Sequence, residues 1–91
     1  MLKMPPQAVP PADVLGLQAL AHVIADADMG PRFLALTGLD PAALRTRAGE
    51  PALLAEVIGF LAARESDLVA AAEALGVPAA ALAAAGERLQ R

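Results

Sequence analysis

The stretch FLALTGLDPAALRTRAGEP, residues 33–51, contains the pattern that decides the fold. A short apolar segment ends at Gly38, and glycine readily adopts the left-handed conformation that terminates a helix. Two residues later Asp40 is a favoured N-cap residue, and Pro41 suits the first position of a new helix. The stretch therefore predicts two short helices joined by a tight turn.

Glycine and proline divide the rest of the chain in the same way. Hydrophobic residues make up 57% of the sequence and aromatic residues only 2%, and most of the apolar residues are alanine or leucine, which favour helices. We expect an all-α protein, a compact single-domain array of about five to six short helices over residues 11–91, after a flexible proline-rich arm at residues 1–10. The first four expected helices span about residues 11–27, 31–37, 41–48 and 51–64. A fifth follows a break and cap at 65–67 and ends at 75, and a sixth begins at 78.

Apolar residues at helical spacing indicate which side chains form the core. The stripe that we expect to be buried on the first helix consists of Val14, Leu17, Leu20, Ala21 and Ile24. Alanine buries little area, so the stability should depend on a few larger side chains. The expected core is Leu17, Leu20, Ile24, Phe33, Leu36, Leu44, Leu54, Val57, Leu61, Leu68 and Leu82.

Composition excludes several classes of protein. The absence of cysteine excludes disulfides, thiolate metal sites and a cysteine nucleophile. No apolar run reaches about 18 residues without a charge or a proline, and prolines interrupt the N-terminal segment, so we expect no membrane span, no signal peptide and a cytoplasmic location. The formal net charge of −3 disfavours nucleic acid and membrane surfaces as partners.

Few side chains could carry chemistry. The only hydroxyl groups belong to Ser66, Thr37 and Thr46, and there is a single histidine, His22. A nucleophile needs a base within hydrogen-bonding reach, and Ser66 is better interpreted as a helix cap. We therefore expect no enzyme, no catalytic residue and no cofactor.

His22, Asp26 and Asp28 form the pattern H-x3-D-x-D at the end of the first helix. A histidine and an aspartate four residues apart share a helix face, but two or three ligands without a second cluster make a weak metal site. We favour a surface His–Asp pair and expect no metal. A histidine phosphotransfer role for His22 is the least favoured alternative, because the acidic residues that follow would repel a phosphoryl group.

The opening stretch also has the register of a DNA-binding helix-turn-helix, with Gly38 at the turn and Leu44 facing inward. Its second helix offers only Arg45 and Arg47 to base edges, and the chain has a single lysine, Lys3. Since phosphate neutralisation provides most non-specific affinity, we expect no nucleic-acid binding. A helix-turn-helix-like nucleic-acid-binding protein is the alternative function.

Among functional interpretations, a protein-interaction adaptor or regulator fits best, because it needs no catalytic group and no cofactor. We call residues 33–50, the two short helices and the turn between them, the corner. Three arginines lie in or beside it, Arg32, Arg45 and Arg47, and arginine is favoured at interfaces. We expect these three residues to bind another protein through an acidic or amphipathic segment, with a homodimer as the other assembly to consider. The alternative interpretation is that these three arginines form a solvated basic edge with no binding role.

Three segments resemble a bacterial family of small proteins, domain of unknown function 3572. They are LGLQALAHVIAD (15–26), RFLALTGLDPAALRTRA (32–48) and PALLAEVIGFLA (51–62). The resemblance covers residues 14 to about 89, and RFLALTGL is its most specific part. His22 stands where the family commonly has an aromatic residue, and the C-terminal helix is reduced to alanines. The resemblance implies no activity and no functional residue.

Overall fold

The structure, a computed structural model, describes residues 9–91. These residues form six α-helices and no strand, so the all-α prediction is confirmed. Residues 1–8 of the expected arm lie outside the described residues. The helices are α1 (Ala12–Ala25), α2 (Met29–Thr37), α3 (Pro41–Arg47), α4 (Pro51–Ala62), α5 (Glu65–Leu75) and α6 (Ala79–Leu89).

Helix α4 is the centre of the domain, and it packs against α1, α5 and α6. Its buried face consists of Leu53, Leu54, Ala55, Val57, Ile58 and Leu61. Two glycines allow its neighbours to come close. A Cβ atom added at Gly16 of α1 would lie 2.8 Å from the Cβ of Leu54, and one added at Gly86 of α6 would lie 2.8 Å from Cγ2 of Ile58. The close packing of α1, α4 and α6 therefore depends on small residues as much as on large ones.

The predicted corner between α2 and α3 is present. Gly38 adopts φ 72° and ψ 10°, and its N–H donates to the carbonyl oxygen of Leu34 at 2.9 Å. One carboxylate oxygen of Asp40 accepts a hydrogen bond from the backbone N–H of Ala43 at 2.7 Å, and Pro41 is the first helical residue. Local chemistry therefore sets the corner, as the sequence predicts.

The expected core is partly wrong. Seven of the expected residues are buried: Leu20, Phe33, Leu44, Leu54, Val57, Leu61 and Leu82. Leu68 is only half-buried, whereas Leu17, Ile24 and Leu36 are exposed by 44%, 40% and 72%.

Helix α1 accounts for two of these errors because it is apolar on two faces. Its inward face contains Leu15, Gly16, Ala19, Leu20 and Val23. Of the expected stripe, Leu20 is buried as predicted, whereas Val14, Leu17, Ala21 and Ile24 face outward. The inward face carries the small residues, which permit the close approach to α4, and the pattern of apolar residues alone could not show this preference.

Two helix starts also differ from the prediction. The sequence predicts a break at residues 29–31, but α2 begins at Met29, and the break lies at residues 26–28. The carboxylate of Asp26 accepts hydrogen bonds from the backbone N–H groups of Asp28 and Met29, where α2 begins. Pro31 is tolerated in the first turn because an N–H group there has no partner within the helix. Helix α5 begins at Glu65 without a side-chain cap, so the interpretation of Ser66 as a cap is wrong.

In residues 9–91, no single helix is long and apolar enough to cross a membrane. Helices α5 and α6 meet the criterion of length and composition only as a pair, and they are bent by 100° relative to each other.

Candidate protein-binding surface

Arg32 ties α2 to the rest of the domain. Its guanidinium lies 3.2 Å from a carboxylate oxygen of Asp28 and 3.2 Å from one of Asp67, which is 35 residues away on α5. The guanidinium carbon also lies 5.3 Å from the ring centroid of Phe60 on α4, within the range of a cation–π contact. Its side chain is 34% exposed. Arg32 is therefore largely occupied by contacts within the domain.

Arg45 and Arg47 occupy the last turn of α3, but their surroundings differ. Nε of Arg47 lies 3.0 Å from a carboxylate oxygen of Glu50, so this charge is paired locally. Arg45 is exposed and makes no ion pair within residues 9–91. Of the three predicted arginines, Arg45 is the one whose charge is most available to a partner.

A groove of about 810 Å³ runs between α2, α4 and the C-terminal end of α6. The walls are mostly apolar, with Glu56 and Arg91 as the charged residues. The residues that line it are Phe33, Leu36, Thr37, Pro51, Ala52, Ala55, Glu56, Gly59, Phe60, Ala63, Leu89, Gln90 and Arg91. A second, shallower concavity continues past Leu36 and Phe60 to Arg32 and Ala35.

Leu36 is the most exposed large apolar side chain in the described part of the chain, at 72%. Its neighbour Phe33 is fully buried, and the Phe33 ring meets the Phe60 ring edge-to-face with centroids 5.3 Å apart. The sequence placed both Leu36 and Phe33 in the core. The sequence of a nine-residue helix does not indicate which of the two side chains is exposed, because the groove is formed by segments that are distant in the chain.

The carboxylate of Asp26 makes hydrogen bonds to the backbone between α1 and α2. Its Oδ2 accepts hydrogen bonds from the N–H groups of Met29 at 2.7 Å and Asp28 at 2.9 Å. These two bonds, the one from Met29 first, hold the pKa of Asp26 below its ordinary value of 3.8, and the nearby charges of His22 and Arg32 act in the same direction. The H-x3-D-x-D pattern therefore marks the junction of α1 and α2.

Two further observations bear on the expected chemistry. No group of three or more histidine, aspartate and glutamate residues within 9–91 could hold a metal ion. Nε2 of His22 is buried and has no hydrogen-bond partner within that range. A phosphoryl acceptor must reach solvent, so this geometry counts against phosphotransfer at Nε2.

A second apolar surface lies on the outer face of α1, which consists of Val14, Leu17, Ala21 and Ile24. The exposed fractions of Val14, Leu17 and Ile24 are 38%, 44% and 40%. The spacing of three, four and three residues is that of the positions through which helices pair in coiled coils. This outer face of α1 lies away from the core that the helix shares with α4 and α6.

Comparison with known proteins identifies the family. No curated protein and no solved structure matches the chain. The model of a family described as "Protein of unknown function (DUF3572)" matches residues 10–91, a range that includes all six helices. It also includes the corner, the groove and the arginines described above. The chain therefore belongs to the DUF3572 family.

Proposed function

We propose that the protein is a small adaptor or regulator whose groove between α2 and α4 receives an amphipathic helix of another protein. The observation that supports this most is Leu36, exposed by 72% at the edge of a mostly apolar groove of about 810 Å³. Exposed apolar surfaces with polar rims are typical of interaction sites, and a helix that lays its apolar face in a groove is a common mode of recognition.

The corner arginines have a place in this proposal. Thr37 and Pro51 both line the groove, so the segment between them, which contains α3, begins and ends at its edge. Arg45, which is unpaired within residues 9–91, would bind carboxylates of the partner helix. Arg47 would contribute less, because Glu50 already neutralises it. Arg32 would act mainly by holding α2 in position.

The proposed function requires no catalytic group, metal or cofactor. The alternative of a helix-turn-helix-like nucleic-acid-binding protein has less support. The net charge is −3, and one of the two arginines on α3 is paired with a carboxylate. Such a helix could neutralise few phosphates, and phosphate contacts provide most of the affinity of DNA-binding proteins.

The test is quantitative affinity capture from native cell extract with wild type, Leu36→Glu and the double variant Arg45→Glu/Arg47→Glu. We expect both variants to lose the same captured protein while retaining a wild-type circular-dichroism spectrum. Arg88→Glu is the matched control, since Arg88 lines a separate groove beside Val9, Pro10 and Pro11. If the two variants and the control recover the same proteins at the same yield, the groove and the arginines are not a binding site.

A second candidate is self-association through the outer face of α1. The spacing and exposure of Val14, Leu17 and Ile24 favour a helix as the partner of this face. Sedimentation measurements over a range of concentrations test this candidate. Leu17→Glu should abolish any dimer, and Leu36→Glu should leave it unchanged. A dimer that survives Leu17→Glu would rule out this face.

A further inference from the structure

The α3 flap, which we define as residues 39–49, is held almost entirely by local contacts. The Asp40 carboxylate accepts a hydrogen bond from the backbone N–H of Ala43, and the Thr46 hydroxyl donates to the carbonyl oxygen of Ala42 at 3.0 Å. Arg47 forms an ion pair with Glu50. Each of these contacts joins residues no more than four positions apart. Within residues 9–91 the α3 flap has one side-chain hydrogen bond to another helix, in which the Leu39 N–H donates to the hydroxyl of Thr37 at the end of α2 at 3.4 Å. This contact is also local, and no ion pair connects the α3 flap to another helix.

Leu44 is the single buried side chain of α3, with 7% of its surface exposed. Leu39 and Ala48 are half-buried against the core. Helix α2 differs, because the Arg32–Asp67 ion pair and the Phe33–Phe60 contact tie it to α5 and α4. The α3 flap is therefore attached to the domain mainly through Leu44, with smaller contacts from Leu39 and Ala48.

The glycines at the two ends of the α3 flap face open space. Gly38 in the left-handed conformation precedes it, and Gly49 lies at its end. A Cβ atom added at either glycine would meet nothing within 4 Å. Helix α3 has seven residues, and an isolated helix shorter than about 12–15 residues is marginal in water. When Leu44 leaves its site, the helix loses the packing that maintains it.

We propose that the α3 flap opens as a local unit while the other five helices stay folded, and that a bound partner closes it. The first part concerns the free protein alone. The second part rests on the proposed function. Because Arg45 and Arg47 are carried on α3, a partner that binds them must order the α3 flap, and the fraction of closed flap then sets the apparent affinity.

Hydrogen–deuterium exchange of the free protein tests the first part. We expect the amides of α3 to exchange at least about 100-fold faster than the core amides of α4, with little dependence on denaturant. Asp40→Ala removes the N-cap, and we expect it to speed exchange in α3 about fivefold while the rates in α1, α4 and α6 stay unchanged. Leu82→Ala is the control, since a core cavity should raise exchange in α1, α4 and α6 and leave the local opening of α3 unchanged.

Exchange of α3 with the same rates and denaturant dependence as α4 would overturn the proposal. An equal effect of Asp40→Ala on α3 and α4 would do the same. The experiment contains no partner, so its outcome is independent of the capture experiment. Fast local exchange of α3 together with unchanged capture by the arginine variants would support local opening of the α3 flap and contradict the proposed binding site.

For the second part, the captured partner is added to the exchange experiment. Protection of α3 by the partner supports ordering on binding. Unchanged exchange in α3 while the partner is bound contradicts it.

Discussion

Phe33→Ala should remove much of the stability of the domain. The Phe33 side chain is fully buried and meets Phe60 edge-to-face, so its loss leaves a cavity between α2 and α4. Truncation of a buried phenylalanine to alanine costs about 3–5 kcal/mol. A domain of 91 residues has a free energy of unfolding of about 5–14 kcal/mol at the usual value per residue. The substitution would therefore remove between about a fifth and nearly all of it.

Thermal unfolding followed by circular dichroism measures this loss. At about 4–8 °C for each kcal/mol, the melting temperature should fall by at least about 12 °C. Leu36→Ala is the matched control, because its side chain is 72% exposed and its loss should change the stability by about 0.5 kcal/mol or less. If Phe33→Ala melts within a few degrees of wild type, Phe33 is peripheral and the described packing of α2 on α4 is wrong.

Four further predictions concern stability, pH and binding. Gly59→Ala should stabilise the protein by about 0.8–1 kcal/mol, because alanine has a higher helix propensity than glycine and its Cβ would meet nothing within 4 Å. In contrast, Gly16→Ala should destabilise it by about 1–3 kcal/mol through the clash with Leu54, and a more stable Gly16→Ala would contradict the close packing of α1 on α4. Because the pKa of Asp26 is lowered in the folded state, its charge stabilises the protein above the unfolded pKa of 3.8, and this stabilisation is lost as the pH falls through the folded pKa. Melting curves from pH 2.5 to 7 should show a smaller acid loss for Asp26→Asn than for wild type, and an identical profile would rule out this role. Fluorescence anisotropy should show no sequence-dependent DNA binding below micromolar concentration, and such binding near physiological salt would restore the helix-turn-helix alternative.

The sequence predicted those parts of the fold that depend on neighbouring residues. Gly38, Asp40 and Pro41 set the corner through left-handed backbone, capping and a fixed φ, and all three effects act within a few residues. The inward face of α1 could not be predicted in this way. The helix has an apolar stripe on each of two sides, and the choice between them depends on the close approach of Gly16 to Leu54 of α4 and Leu89 of α6.

The candidate surface was predicted only in part. The arginines could be named from the sequence, but the ion pair of Arg32 with Asp67 joins residues that are 35 positions apart. The sequence does not reveal the groove, because its walls come from three separate helices. Leu36 was therefore assigned to the core, although its exposure is the observation on which the proposed function mainly depends.

The most direct test of the proposed binding site is photo-crosslinking from position 36. A photoreactive amino acid replaces Leu36 in one variant and Val69 in another, since Val69 on α5 is an exposed apolar residue outside the groove. Both variants are irradiated in native cell extract, and the crosslinked proteins are identified by mass spectrometry. We predict a single dominant protein crosslinked through position 36 and absent from position 69. Equal crosslinking at the two positions, or none at position 36, would contradict the binding site.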